Sequence, residues 1–148
     1  SRITLTDDHL SGCGDTRTAR VATVRGGIYA VDLHQSDAAS TTVAKGTENL
    51  VPVTTALIAT GFLLVADAIV ADNAAANVNF GIGVEVNLLV ESTTDIAKGD
   101  ALKAVNAQAY AVKATPATDR YHFIALEART ANDTGIIKAV MVSPFGAF

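Results

Sequence analysis

The chain has 148 residues, 49% hydrophobic and 18% charged, enough apolar material for one globular domain, and this excludes disorder throughout. Its net charge is −4 and it contains no block of Lys or Arg, so it lacks the electrostatic footprint of a DNA or RNA binder. Aromatic residues make up 5% and Trp is missing, so the core must be built from small and β-branched side chains, a composition that favours extended structure.

In chain order, residues 1–17 mix Thr, Asp and Arg with Gly12 and Gly14, and offer only Ile3, Leu5 and Leu10 for burial. This predicts an N-terminal arm over 1–17 that does not fold alone, followed by a β-rich domain over 18–148. Between residues 19 and 33, Ala22 and Val24 lie two apart, Gly26-Gly27 follows, and Tyr29, Val31 and Leu33 alternate again. That pattern predicts a hairpin with a Gly-Gly turn. Residues 35–42 read as a polar loop. Val43-Ala44-Lys45-Gly46-Thr47 and Ile96-Ala97-Lys98-Gly99-Asp100 are two similar turns, in which Gly permits φ > 0. Leu50 to Val53 reads as a strand, and Pro52 places it at an edge or a bulge.

Residues 61–70 fit either a buried strand or part of a helix over 54–71; Gly61 inside that helix favours strands. The apolar run 57–70 is shorter than the ~20 residues of a spanning helix and carries Gly61 and Asp67, so it belongs in a core and no membrane partner is expected. Residues 80–90 alternate, with Phe80, Ile82, Val84, Val86 and Leu88 on one predicted face, and Gly81 and Gly83 thinning the other for close packing. Segments 101–105, 109–114, 123–127 and 136–142 are short and separated by polar turns, the spacing of a barrel or sandwich. Long amphipathic helices alternating with strands, as a parallel doubly wound sheet requires, are missing. Phe145 and Phe148 are predicted to dock on an apolar surface.

The single cysteine, Cys13, has no partner within the chain, and a lone thiol suits assembly in a reducing cytosol. Ser1-Arg2-Ile3-Thr4 lacks the apolar segment of an export signal, so synthesis in the cytoplasm is expected. Reactive groups are densest at Asp7, Asp8, His9, Cys13 and Asp15. His9 and Cys13, four apart, would share a helix face as metal ligands or as a base and nucleophile. Gly12 and Gly14 oppose that helix, and no second ligand pair completes a tetrahedral site.

His34 and His122 lack a neighbouring nucleophile motif and read as surface or hydrogen-bonded histidines. Glu85 and Glu91 read as solvated charges rather than a glycosidase pair. Gly81-Ile82-Gly83 lacks the third Gly or the Lys-Ser/Thr pair of a phosphate cradle. No catalytic residue, metal or cofactor is expected.

One resemblance spans residues 80–142. Gly83-Val84-Glu85-Val86, Ile96-Ala97-Lys98-Gly99-Asp100-Ala101-Leu102-Lys103, Tyr110-Ala111-Val112-Lys113-Ala114, Ile124-Ala125-Leu126-Glu127-Ala128 and Gly135-Ile136-Ile137-Lys138-Ala139-Val140-Met141-Val142 follow one another in order. This succession resembles the head-decoration, or capsid cement, proteins of tailed bacteriophages, with Phe123 standing where a Gly often precedes the Ile-Ala pair. The resemblance implies an all-β fold, a small β-barrel, β-tulip or sandwich-like domain, bound in many copies to the outside of an icosahedral head. It implies no catalytic residue, a homotrimer or homodimer, and the major capsid protein as partner, on the capsid exterior of the virion.

A terminal arm often makes the capsid contact in such proteins. Here the candidate contacts are Arg2, Ile3, Thr4, Leu5 and Leu10, whose segment suits strand addition to a neighbour's sheet edge, and the apolar Phe145 and Phe148. The alternatives are a carbohydrate- or host-binding β-sandwich module, with Tyr29, Tyr110 and Tyr121 lining a sugar site, and a small hydrolase using Cys13 with His34 or His9.

Overall fold

The fold is described from a computed structural model, which covers residues 15–19, 22–31, 49–60, 62–67, 69, 71, 74–130 and 132–144. Among the described residues the chain is all-β but for one short helix. In order these are β1 (Asp15–Ala19), β2 (Ile28–Val31), β3 (Asn49–Leu50), α1 (Thr55–Thr60), β4 (Phe62–Ala66) and β5 (Ala75–Asn79). Then come β6 (Glu85–Ser92), β7 (Ala101–Ala104), β8 (Ala111–Lys113), β9 (Phe123–Ala125) and β10 (Asn132–Met141). The first five strands form one sheet in the order β2-β4-β5-β1-β3, and the last five close a barrel, β10-β6-β8-β7-β9.

Period-two alternation builds the barrel. Val86, Leu88 and Val90 of β6 and Ile137, Ala139 and Met141 of β10 are buried, while Glu85, Ile136 and Lys138 between them face out. A five-stranded ring is narrow, and Ala104, Ala111, Ala125 and Ala139 leave room inside it for Phe123, Leu88 and Leu102. β6 and β10 form the longest ladder, antiparallel from Val140 opposite Glu85 to Asn132 opposite Ser92, with a register shift between Asn132 and Gly135.

In the first sheet β4 is buried at Leu63, Leu64, Val65 and Ala66 in succession, so both of its faces are covered. The sheet curls until its outer strands meet: Ala30 of β2 and Val51, just after β3, exchange two backbone hydrogen bonds of 2.9 Å. Pro52 follows at once and has no N–H with which to extend that pairing. One continuous apolar cluster runs from Ile28 and Leu64 in the sheet to Leu88 and Phe123 in the barrel.

The expected hairpin over 19–33 does not form. Residues 22–24 are not a strand, and β2 pairs instead with β4, Tyr29 opposite Leu64. The glycine turn exists, with Gly27 N bonded to Val24 O at 3.0 Å and Gly26 at φ 78°, but it joins the two sheets. Gly26 N donates to Ala66 O, and Gly26 O accepts from Leu89 N of β6, both at 2.8 Å. A methyl group at Gly26 would lie 3.0 Å from Asn87 O and Leu89 N, so the approach of the two backbones requires glycine.

Both readings of residues 54–71 hold in part. The helix occupies 55–60 and ends before Gly61, and β4 begins at Phe62. Thr54 Oγ1 caps the helix by accepting the Leu57 amide at 3.2 Å. Residues 15–17, expected at the end of the arm, are the first residues of β1, which pairs with β5. Residues 1–14, the first of the two similar turns, over 43–47, and residues 145–148 lie outside the described residues.

Candidate interaction surface

The residues singled out for partner contact, Arg2, Ile3, Thr4, Leu5, Leu10, Phe145 and Phe148, all lie outside the described residues, as do Asp7, Asp8, His9, Cys13 and His34. Pro144, the last described residue, is buried, and its carbonyl accepts the Leu63 amide at 3.0 Å.

The remaining chemical candidates are dispersed by the fold. Glu85 and Glu91 lie on one strand six residues apart, about 20 Å at the rise of an extended chain. Paired glycosidase carboxylates stand within about 10 Å of each other, so these two cannot act as one. Among the described residues no group of three or more His, Cys, Asp or Glu is placed to hold a metal ion. Tyr29 is only 5% exposed and its hydroxyl accepts the Val24 amide proton at 2.9 Å, so it is unsuited to an exposed sugar-stacking platform with the half-buried Tyr110 and Tyr121. Burial pushes its phenol above the usual range.

His122 is not a surface histidine. It is fully buried, and its ring lies against the Ile58 backbone of α1 without either ring nitrogen reaching good hydrogen-bond geometry. Desolvation first, and the nearby Arg120 charge second, push its pKa down to about 4; the Ile58 backbone offsets part of this.

Two aspartates stiffen the barrel's turns. Asp100 Oδ2 accepts the Ala97 amide at 2.8 Å and pairs with Lys113 Nζ at 3.1 Å; Asp119 Oδ2 accepts the Thr115 amide at 2.8 Å and pairs with Lys103 Nζ at 3.1 Å. In each, the backbone amide is the largest cause holding the carboxyl below its usual range. The two lysines line a recess of about 280 Å³ with Glu91, Thr93 and Thr94, and their carboxylate partners already balance their charge. A second recess, between Tyr29, Pro52, Val53 and Ala107, holds about 200 Å³, below the ~300 Å³ at which small-molecule sites begin.

What the described surface does present is apolar side chains in water. Ile82 is 79% exposed and Ile69 78%, with Ile136 and Val24 less so. Sequence alternation put Ile82 on the buried face of a strand. Instead, residues 81–84 form a turn, with Gly81 at φ 123° and Gly83 at φ 82°. A methyl group at Gly83 would meet nothing within 4 Å, so this glycine serves the turn and not close packing.

The turn is tied down. Gly81 N donates to Met141 Sδ at 3.1 Å, Gly83 N to Met141 O at 2.8 Å, and Val84 N to Gly81 O at 3.3 Å. Ile82 is thus a β-branched apolar group presented on a fixed tip, where turn chemistry ordinarily selects Asn, Asp or Ser. Two glycines on either side of an isoleucine were the signal for it. No protein-family model matches the chain, and no curated protein matches it.

Proposed function

We propose that this protein is a virion structural protein that binds the outer surface of an icosahedral phage head and cements neighbouring major capsid subunits. It acts by adhesion rather than turnover, as a homotrimer or homodimer on the capsid exterior, after synthesis in the host cytoplasm. The ordered succession of segments over 80–142 supports this reading, and those segments form the closed barrel. The observation that carries it is the Ile82 tip, an apolar anchor with its conformation already set, which lowers the ordering cost of docking. A ligand that binds the assembled shell and not its separated subunits stabilises the shell by mass action, so many modest contacts suffice.

Mixing purified protein with expanded heads tests this directly. Sedimented heads should carry it and resist heat better than bare heads. Ile82→Asp should lower occupancy at least tenfold while leaving the unfolding midpoint of the free protein unchanged. Protein that stays in the supernatant under all salt conditions sinks the proposal, and full occupancy by the Ile82→Asp variant removes the tip from it.

A further inference from the structure

α1 is six residues long, less than two turns, and too short to hold itself together in water. Loops of the barrel hold both of its ends. At its start, Asn106 Oδ1 accepts the Thr55 amide at 3.0 Å and Ala107 N donates to Val53 O at 3.0 Å. Near its end, Arg120 Nη1 donates to Ala59 O at 2.7 Å. His122 lies on the same seam, with its backbone fixed into the barrel by His122 N to Leu102 O at 3.1 Å and Val142 N to His122 O at 2.8 Å. Its ring cannot leave without the seam opening.

We propose that α1 is an acid-released latch: protonation of His122, a fully buried imidazole beside Arg120 on the seam, lifts α1 off the barrel while the barrel stays closed. Among the described residues the neighbouring elements offer the new cation little counter-charge, and the nearby carboxylate of Asp119 is already paired with Lys103. α1 carries no ionisable side chain, and neither do residues 139–144 of the adjoining β10 end. β7 contributes Lys103, which is paired with Asp119, and the loop before His122 contributes Arg120, a second cation.

A neutral ring is tolerated here; a charged one, desolvated and facing Arg120, is not. Once the latch opens, the imidazole regains water and takes up its proton at the ordinary value near 6.5. Its closed-state pKa is lowered to about 4, so the closed latch is fully favoured above about pH 6.5 and loses ground as pH falls from there toward 4.

Hydrogen exchange on the full-length protein, corrected for the intrinsic pH dependence of amide exchange, reads the opening. Between pH 7 and 4.5 the open population of α1 should rise roughly fiftyfold, while β6 and β10 amides keep their protection. The imidazole resonance of wild-type His122 should titrate together with that opening, and His122→Phe should abolish the pH dependence. Two results overturn the proposal: a His122 that titrates near 6.5 with α1 still protected, or the same acid opening in His122→Phe. The wild-type titration decides even if the variant does not fold.

Discussion

The curled sheet and the barrel are both five strands whose ends meet, yet they close in different ways. β6 and β10 brace the barrel through seven register pairs, and its thinnest seam, the single pair Val90–Ala111 between β6 and β8, lies beside that long ladder, whereas the sheet meets itself only at the bridge Ala30–Val51. A ladder shares load among its rungs; one bridge beside a proline does not. The barrel is therefore the stable unit of the molecule, and the sheet leans on it through Gly26, Ala107 and Pro144. Exchange of the Ala30 amide should precede that of Leu88 and Ala139.

The hardest blow to this contrast is Phe123→Ala, which empties the middle of the narrow ring. It should cost about 3–5 kcal/mol by chemical denaturation, and a smaller loss than for Leu64→Ala in the sheet would reverse the ranking. Gly26→Ala attacks the junction itself. It forces a side chain into a positive φ and against β6 backbone, and should cost on the order of 2–3 kcal/mol while leaving barrel amides the last to exchange.

Acidification tests the seam. The unfolded chain binds the His122 proton more readily than the folded one, so stability falls as pH drops from about 6.5 toward 4, by about 2 kcal/mol at pH 4.5. The plot of unfolding midpoint against pH should lose that slope in His122→Phe. Thr54→Ala removes the helix cap and should cost about 1 kcal/mol, seen first as faster exchange in α1. The smallest effect has the opposite sign. Ala107 sits at φ 64°, a strain glycine lacks, and Ala107→Gly should raise stability by about 0.5 kcal/mol on thermal melting.

The all-β class was legible because alternation in β6 and β10 is driven by one wet and one dry face, which any window of the sequence records. The Ala97–Asp100 turn was legible too, since Gly99 at φ 94° is a local demand. Partner choice was not. Local pattern paired Tyr29 with Val24 across a turn, but Tyr29 pairs with Leu64, a decision made by burial of β4 on both faces.

His122 was misread for a related reason: nothing in its neighbours announces that α1, sixty residues upstream, covers it. Ile82 was misplaced because strand period and turn chemistry competed at Gly81 and Gly83, and the positive φ angles show that the turn won. The partner contacts expected at Arg2 to Leu10 and at Phe145 and Phe148 lie outside the described residues.

A ring of strands has no first or last member. Copies of this barrel packed side by side at very high density therefore find few unpaired backbone rungs on one another from which to grow a fibre. Recognition between such copies falls to side chains, where a handful of substitutions can retune it without disturbing the hydrogen-bonded frame.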